Sequence, residues 1–175
     1  MLPIQPLNKL VVMGVAGSGK STLAAELAQA LACPLIEGDD HHLASSRDKM
    51  GRGIALHDAD REPWLDALAG LVAAREGSVV LACSALKRRY RERLRVQLPA
   101  LKFVYLEIDP ALALERVAMR AGHFFPASVV ASQFADLEPP TGEAGVLAVA
   151  ATLSLRAQRD AVLRWLAHGA AVDRD

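Results

Sequence analysis

The stretch VVMGVAGSGKST (residues 11–22) constrains the fold more than any other part of the sequence. A short apolar run ends there in a glycine-rich turn, which is followed by a lysine and two hydroxyl residues. Gly14, Gly19, Lys20 and Ser21 have the spacing G-x-x-x-x-G-K-[ST], the pattern of a phosphate-binding loop between a strand and a helix. The alternative is a plain glycine turn, but the complete spacing and both flanks favour phosphate binding.

The chemistry of this loop follows from its residue types. Glycines let backbone N–H groups converge on phosphate oxygens at a helix N-terminus, where the helix dipole favours anions. Lys20 is predicted to reach the outer phosphates of a nucleotide, and the Ser21 hydroxyl is predicted to hold Mg²⁺. The predicted nucleotide-binding residues are Gly14, Val15, Ala16, Gly17, Ser18, Gly19, Lys20, Ser21 and Thr22.

The composition of the chain narrows the class of protein. Its 175 residues fit one domain, residues 1–175, and a hydrophobic content of 52% can fill a core. Lysine plus arginine and aspartate plus glutamate number 20 each, so no general charge favours nucleic acid or an anionic membrane. No apolar run approaches ~18 residues, so no membrane span is expected. Cys33 and Cys83 are interpreted as reduced thiols of a cytoplasmic protein.

Short apolar runs alternate with helical patterns along the chain, which predicts βαβ units around a parallel sheet. The first helix follows the phosphate loop, the second has Asp60 as its N-cap, and the fourth has Asp109 as its cap before Pro110. The predicted strands are 9–14, 34–38, 78–83, 102–108 and 145–151, and the third and last predicted helices are 85–98 and 153–167.

Acidic residues follow the second predicted strand, in the segment EGDDHH (37–42). Ligands of open α/β sheets bind beyond the carboxyl ends of the strands, so at least one carboxylate should face the phosphate loop. We assign Asp39 to chemistry, where it accepts or orients the proton of an attacking hydroxyl, and Asp40 to capping of the next helix or to a water-mediated contact. Adjacent histidines without a third ligand are a weak metal signal, so His42 is predicted to bond to substrate.

The chain also carries, in order, MGVAGSGKST, EGDDHH, DADREPWL, CSALKRRYRERLR, FVYLEI, RAGHFF and SQFADLEPP. From about Leu10 to Pro140 it resembles the gluconokinases, small enzymes that phosphorylate D-gluconate on its 6-hydroxyl with ATP. The segments around CSALK and SQF are more specific than the phosphate loop. The resemblance implies a three-layer α/β P-loop kinase fold like that of shikimate and nucleoside monophosphate kinases. Its five-stranded parallel sheet has the order 2-3-1-4-5, and homodimers are usual in the family.

A sugar acid needs cations for its carboxylate and polar groups for its hydroxyls. Lys87 and Arg91 lie four residues apart on the predicted helix 85–98, and both are candidates for the acceptor carboxylate. Lys49 and Arg61 are further candidates, each weighed against a structural ion pair.

Residues 121–138 are predicted to form a lid that closes over ATP and excludes water. Arg116 and Arg120 precede it and would stabilise the transferring phosphate. His123 and Gln133 would reach the acceptor hydroxyls from this lid.

Two alternatives stay open at this stage. The chain could be a P-loop kinase for another small acceptor, such as shikimate or a nucleoside monophosphate. It could also be a nucleotide-dependent switch without an acceptor, because the phosphate loop alone does not separate these classes. The third strand ends in Cys83 and Ser84, where many ATPases have a metal-binding aspartate.

Overall fold

Five parallel strands form one sheet in the computed structural model, which describes residues 7–120 and 127–172. The order across the sheet is β2-β3-β1-β4-β5, as predicted. The first strand occupies the middle, where Val11 pairs with Leu81 on one side and with Phe103 on the other. The strands are β1 (Lys9–Met13), β2 (Leu35–Glu37), β3 (Val79–Ala82), β4 (Lys102–Glu107) and β5 (Val146–Ala150).

Helices cover both faces of the sheet, because successive residues of each strand point to opposite sides. Val11 and Met13 pack against α3 and α4, whereas Leu10 and Val12 pack against α1 and α7. None of the helices in the described ranges is long and apolar enough to cross a membrane. The helices are α1 (Lys20–Ala30), α2 (Ala44–Gly51), α3 (Asp58–Ala73), α4 (Arg88–Gln97), α5 (Pro110–Ala118), α6 (Ala127–Asp136) and α7 (Leu155–Val172).

Three helix starts differ from the sequence-based expectation. Asp60 is not the N-cap of α3: His57 holds that position, and the Asp60 carboxylate accepts its backbone N–H at 2.9 Å. Asp40 caps no helix, because α2 has Leu43 as its N-cap. The fourth helix begins at Arg88, since Lys87 has an extended backbone. The cap at Asp109, whose side chain accepts the N–H of Ala111, is confirmed.

Candidate active site

The phosphate loop runs from the end of β1 to the start of α1, and its turn requires glycine. Gly17 has a left-handed backbone (φ 82°), and a Cβ added there would lie 2.6 Å from the carbonyl oxygen of Ala113. The loop therefore needs glycine at this position both for its turn and for its contact with α5. The Ser18 hydroxyl is 1% exposed and has no hydrogen-bond partner in the described ranges. A buried hydroxyl without a partner, in a loop whose N–H groups are expected to bind phosphate oxygens, is compatible with an anion site.

Lys20 is the first residue of α1 and carries a charge that its surroundings disfavour. Burial lowers the pKa of the Lys20 ammonium, while the negative charge of Asp39 acts in the opposite direction. The guanidinium of Arg120 is close enough to lower this pKa further. Lys20, Asp39 and Arg120 therefore share one electrostatic environment, which contains two cations and one carboxylate.

Ser21 and Glu37 form a pair of oxygen ligands beside the loop. The Ser21 hydroxyl donates to Oε2 of Glu37 at 3.1 Å, and Glu37 is the last residue of β2. Burial raises the pKa of the Glu37 carboxyl, as is typical of a carboxylate without a full cationic partner. A hydroxyl and a carboxylate are ligands that Mg²⁺ accepts. The described ranges contain no cluster of three or more His, Cys, Asp or Glu side chains suited to a metal, so the nucleotide phosphates and water would complete the shell.

A 3₁₀ turn, Gly38–His41, places Asp39 directly after β2. Gly38 permits this because a Cβ there would lie 2.6 Å from the carbonyl oxygen of Ala82 in β3. The Asp39 side chain is 73% exposed and lies 3.7 Å from Nε2 of His42. His42 and then Lys20 hold the pKa of the Asp39 carboxyl below its usual value, so this group is a carboxylate at neutral pH.

The His42 side chain lies between Asp39 and Trp64 and is shielded from solvent. Its side chain is only 8% exposed and stacks on the ring of Trp64 at 4.3 Å between centroids. Trp64 in turn donates from Nε1 to the carbonyl oxygen of Gly38 at 2.8 Å. These contacts fix the turn that carries Asp39, and the bond from His42 to substrate stays a prediction.

A polar pocket of about 450 Å³ opens at the start of α3 and beside α6. It is lined by Arg61 and Lys87, by the carboxylates Asp58 and Asp136, and by Ser132. Ser132 immediately precedes Gln133, whose side chain contacts the phosphate loop. Adjacent residues of α6 therefore contact the pocket and the phosphate loop. Lys20 and Asp39 are not among the residues that line the pocket.

The charges of this pocket are paired with unequal strength. Lys87 donates to Asp58 at 3.0 Å, and Arg89 and the hydroxyl of Tyr90 also donate to this carboxylate. These donors, Tyr90 first, lower the pKa of Asp58 to about 2. Among the residues that the structure describes, Asp136 has longer contacts, 3.6 Å to Lys87 and 3.4 Å to Arg61. Sequence reasoning missed Asp58, Tyr90 and Asp136, although all three lie within or beside the quoted motifs.

Arg91 does not belong to this pocket, which corrects the prediction that it binds substrate. Its side chain is 0% exposed, and its Nε donates to Glu143 at 3.0 Å. Its remaining nitrogens donate to the backbone carbonyls of Ala85, Leu86 and Glu138. Arg91 thereby holds the turn in which Ala85 has a left-handed backbone (φ 44°) just before Lys87.

We expect Arg91→Ala to destabilise the fold by about 3–5 kcal/mol, because it leaves Glu143 without its closest cationic partner and removes a donor from the backbone carbonyls of Ala85, Leu86 and Glu138. Chemical denaturation measures this loss. Arg156→Ala is the control, since the Arg156 side chain is 84% exposed and pairs with Asp160 only at 3.9 Å; it should cost little. An unchanged unfolding free energy for the Arg91 variant would contradict the structural role.

The remaining predicted acceptor contacts divide between the pocket and other partners. Arg61 lines the pocket and donates to the Tyr90 hydroxyl at 3.1 Å. Lys49 forms an ion pair with Asp60 at 2.6 Å, which is the structural alternative considered for it. The Gln133 side chain accepts the N–H of Ala16 at 2.6 Å, so it contacts the phosphate loop rather than the polar pocket. His123 lies outside the described residues.

The Arg116 guanidinium donates to backbone carbonyl oxygens, one of which belongs to the phosphate loop. It donates to Ala151 at 3.0 Å and to Gly17 at 3.5 Å. Residues 121–126 of the predicted lid lie outside the described residues, and the part that is described consists of α6 and the two residues after it.

A second cavity, of about 410 Å³, lies between β4, β5 and residues 139–144. Its lining includes Tyr105 and the acidic side chains of Glu107 and Glu143, and no lysine or arginine. An anion would find no cation there, so this cavity is a poor site for an anionic substrate.

The parallel sheet, the phosphate loop with its buried lysine and the adjoining pocket with cations define a P-loop kinase of small molecules. The family model described as "AAA domain" matches residues 10–140. The gluconokinase of Gluconobacter oxydans is 45% identical over 144 residues, 80% of each chain. The crystal structure of a gluconokinase from Sinorhizobium meliloti has a TM-score of 0.88 and 40% identity, covering 96% of this chain and 98% of that one.

The chain therefore belongs to the gluconokinase family. A shikimate kinase structure from Bacteroides thetaiotaomicron, at 16% identity and a TM-score of 0.66 over 91% of this chain and 98% of that one, shares the fold. The resemblance found in the sequence is thus confirmed for the family and for the fold.

Proposed function

We propose that the protein transfers the γ-phosphate of ATP to the 6-hydroxyl of D-gluconate. The observation that supports this most is the polar pocket that contains Lys87 and Arg61. Ser132 of α6 lines this pocket, and the next residue, Gln133, contacts the phosphate loop. The acceptor carboxylate would bind these two cations. Its far alcohol would then extend toward Asp39 and the loop, with its intermediate hydroxyls meeting polar groups of the pocket.

The chemical step needs few protein groups. The 6-hydroxyl oxygen attacks the γ-phosphorus, the bond from that phosphorus to the bridging oxygen breaks, and ADP leaves with the electron pair. The hydroxyl proton passes to Asp39, which is ionised and lies close to Lys20. Because its pKa is low, Asp39 is a weak base that mainly orients the hydroxyl and takes the proton late, as a loose transition state allows. Lys20 and Arg120 stabilise charge on the transferring group.

Mg²⁺, bound through Ser21 and neighbouring Glu37, would neutralise phosphate charge. The two cysteines, both unpaired thiols, and the use of ATP support a location in the cytoplasm. A homodimer stays a prediction.

An acceptor panel tests the proposed function. ADP release with ATP and Mg²⁺ is measured with gluconate, shikimate, nucleoside monophosphates or no acceptor. We expect gluconate alone to stimulate turnover strongly. Stimulation by shikimate or a monophosphate would assign another acceptor, and ATP binding without stimulation by any acceptor would favour a nucleotide switch.

We expect Lys87→Met to raise KM for gluconate about tenfold to a hundredfold, since a hydrogen bond to a charged group contributes about 1.5–3 kcal/mol. The KM for ATP should not rise, because Lys87 pairs with Asp58 and Asp136 rather than with the phosphate loop. Arg88→Ala is the matched control: this neighbouring side chain is 67% exposed and pairs only with Glu92. An unchanged KM for gluconate in Lys87→Met would assign the carboxylate to another cation.

A further inference from the structure

One face of α6 contacts both halves of the site. Gln133 extends to the phosphate loop, where its Oε1 accepts the N–H of Ala16 at 2.6 Å. Asp136, three residues on, extends to Arg61 and Lys87 in the acceptor pocket. Residues three apart on a helix are neighbours on its surface, so a change at one contact alters the position of the other.

The contact of Gln133 occupies a donor of the nucleotide site. Ala16 lies within the phosphate loop, whose backbone N–H groups serve to bind phosphate oxygens. While the Gln133 side chain accepts from Ala16, that N–H is not available to a phosphate. Gln133 is half-buried at this contact, so its amide oxygen competes with the nucleotide for a donor partly shielded from water.

The acceptor pocket determines when this competition ends. A bound carboxylate must displace a protein carboxylate from Lys87 and Arg61, because two like charges cannot share these cations without repulsion. Asp58 has close donors, 3.0 Å from Lys87 and 2.9 Å from Arg89. The contacts of Asp136 within the described ranges are longer, 3.4 and 3.6 Å, so we expect Asp136 to be the carboxylate that is displaced.

We propose that Gln133 is a positioning residue through which α6 couples the two sites: an acceptor carboxylate displaces Asp136, α6 is released, and Ala16 is freed to bind phosphate. The inference rests on the proposed function, because it takes Lys87 and Arg61 as the cations for the acceptor. Gluconate then tightens nucleotide binding, and the nucleotide tightens gluconate binding by the same factor. ATP is bound weakly until an acceptor is present, and this limits the transfer of its γ-phosphate to water.

The test is calorimetric titration of a non-hydrolysable ATP analogue with Mg²⁺, with and without saturating gluconate. In the unmodified protein we expect gluconate to lower the Kd about fivefold or more. In Gln133→Ala the nucleotide should bind more tightly without gluconate, and gluconate should then change the Kd less than about twofold. Asp136→Asn should likewise tighten nucleotide binding without gluconate and reduce the effect of gluconate on the Kd, since it weakens the contacts that hold α6 in place.

The control and the contrary outcomes are specific. Ser128→Ala alters an exposed side chain of the same helix and should keep the unmodified ratio. A Gln133 variant that binds nucleotide more weakly in both conditions would show that Gln133 only supports the loop, and one that keeps the full ratio would show that it transmits nothing. Either result, or an absent ratio in the unmodified protein, overturns the inference while gluconate phosphorylation persists. Loss of that phosphorylation in the unmodified protein would instead overturn the proposed function.

Discussion

Lys20→Met should lower kcat for gluconate phosphorylation by about 10³-fold, the upper part of the range for removing one preorganised electrostatic contact. The substitution keeps the apolar stem that packs at the start of α1 and removes only the ammonium. That ammonium shares its electrostatic environment with Asp39 and Arg120, and it follows directly on the phosphate loop, where negative charge would accumulate on the transferring phosphoryl group. Steady-state kinetics with saturating ATP and gluconate measure the loss.

The same variant should not be less stable than the unmodified protein. The pKa of Lys20 is lower in the folded chain than its usual value, so its positive charge costs stability at neutral pH. This cost is complete below the folded pKa and disappears as the pH rises from that value toward 10.5. The stability advantage of Lys20→Met should therefore shrink in alkaline solution.

Lys9→Met is the matched control, because Lys9 lies at the start of β1 and its ammonium donates to the carbonyl oxygen of Ala73 at 3.4 Å, away from the phosphate loop. It should keep normal turnover. Turnover of Lys20→Met within tenfold of normal would remove Lys20 from the catalytic machinery, whereas a large loss of stability would mean that its charge supports the fold.

Asp39→Asn should lower kcat about 10²-fold or more, the usual contribution of a positioned acid or base, with a smaller change in KM. The amide has the shape of the carboxylate but cannot take the proton of the 6-hydroxyl. Asp40→Asn is the control: Asp40 is the adjacent residue, and the contact that the structure gives it is through its backbone carbonyl to Arg47. Equal losses in both variants would point to a general effect of charge at this turn.

The pH dependence adds an independent check on Asp39. His42 and Lys20 hold its pKa below the usual 3.8, so the carboxylate persists as the pH falls through the mildly acidic range. Asp39 should therefore contribute no titration to kcat between about pH 5 and 8. An acidic limb in that interval that disappears in Asp39→Asn would contradict this assignment of its ionisation state.

Local sequence signals were sufficient for the sheet and the nucleotide loop. Apolar runs such as SVVLAC (78–83) predict strands buried on both faces, and the glycine spacing of residues 14–21 determines the loop. Asp39 could be placed because it directly follows β2. In each case the signal and the structure that it predicts lie within a few residues of each other.

The errors come from contacts between residues distant in the sequence. Arg91 has the helical spacing from Lys87 that predicts a shared face, but its partner Glu143 lies 52 residues away. Lys87 also lies outside the helix that contains Arg91, because it is the extended N-cap residue before Arg88. Gln133 bonds to Ala16, 117 residues away. Such pairs do not appear in any local sequence pattern. A buried arginine requires a carboxylate partner, but the sequence around Arg91 does not identify which carboxylate it is.

The most direct measurement is the phosphorus NMR spectrum of the product formed from ATP and gluconate, recorded without proton decoupling. Anchoring of the carboxylate at Lys87 and Arg61 places the far primary alcohol at the γ-phosphate, so the product signal should be a triplet from coupling to the two methylene protons. A doublet would reveal phosphorylation of a secondary hydroxyl, and a singlet would reveal an acyl phosphate on the carboxylate. Either of these signals would contradict the proposed orientation of the acceptor.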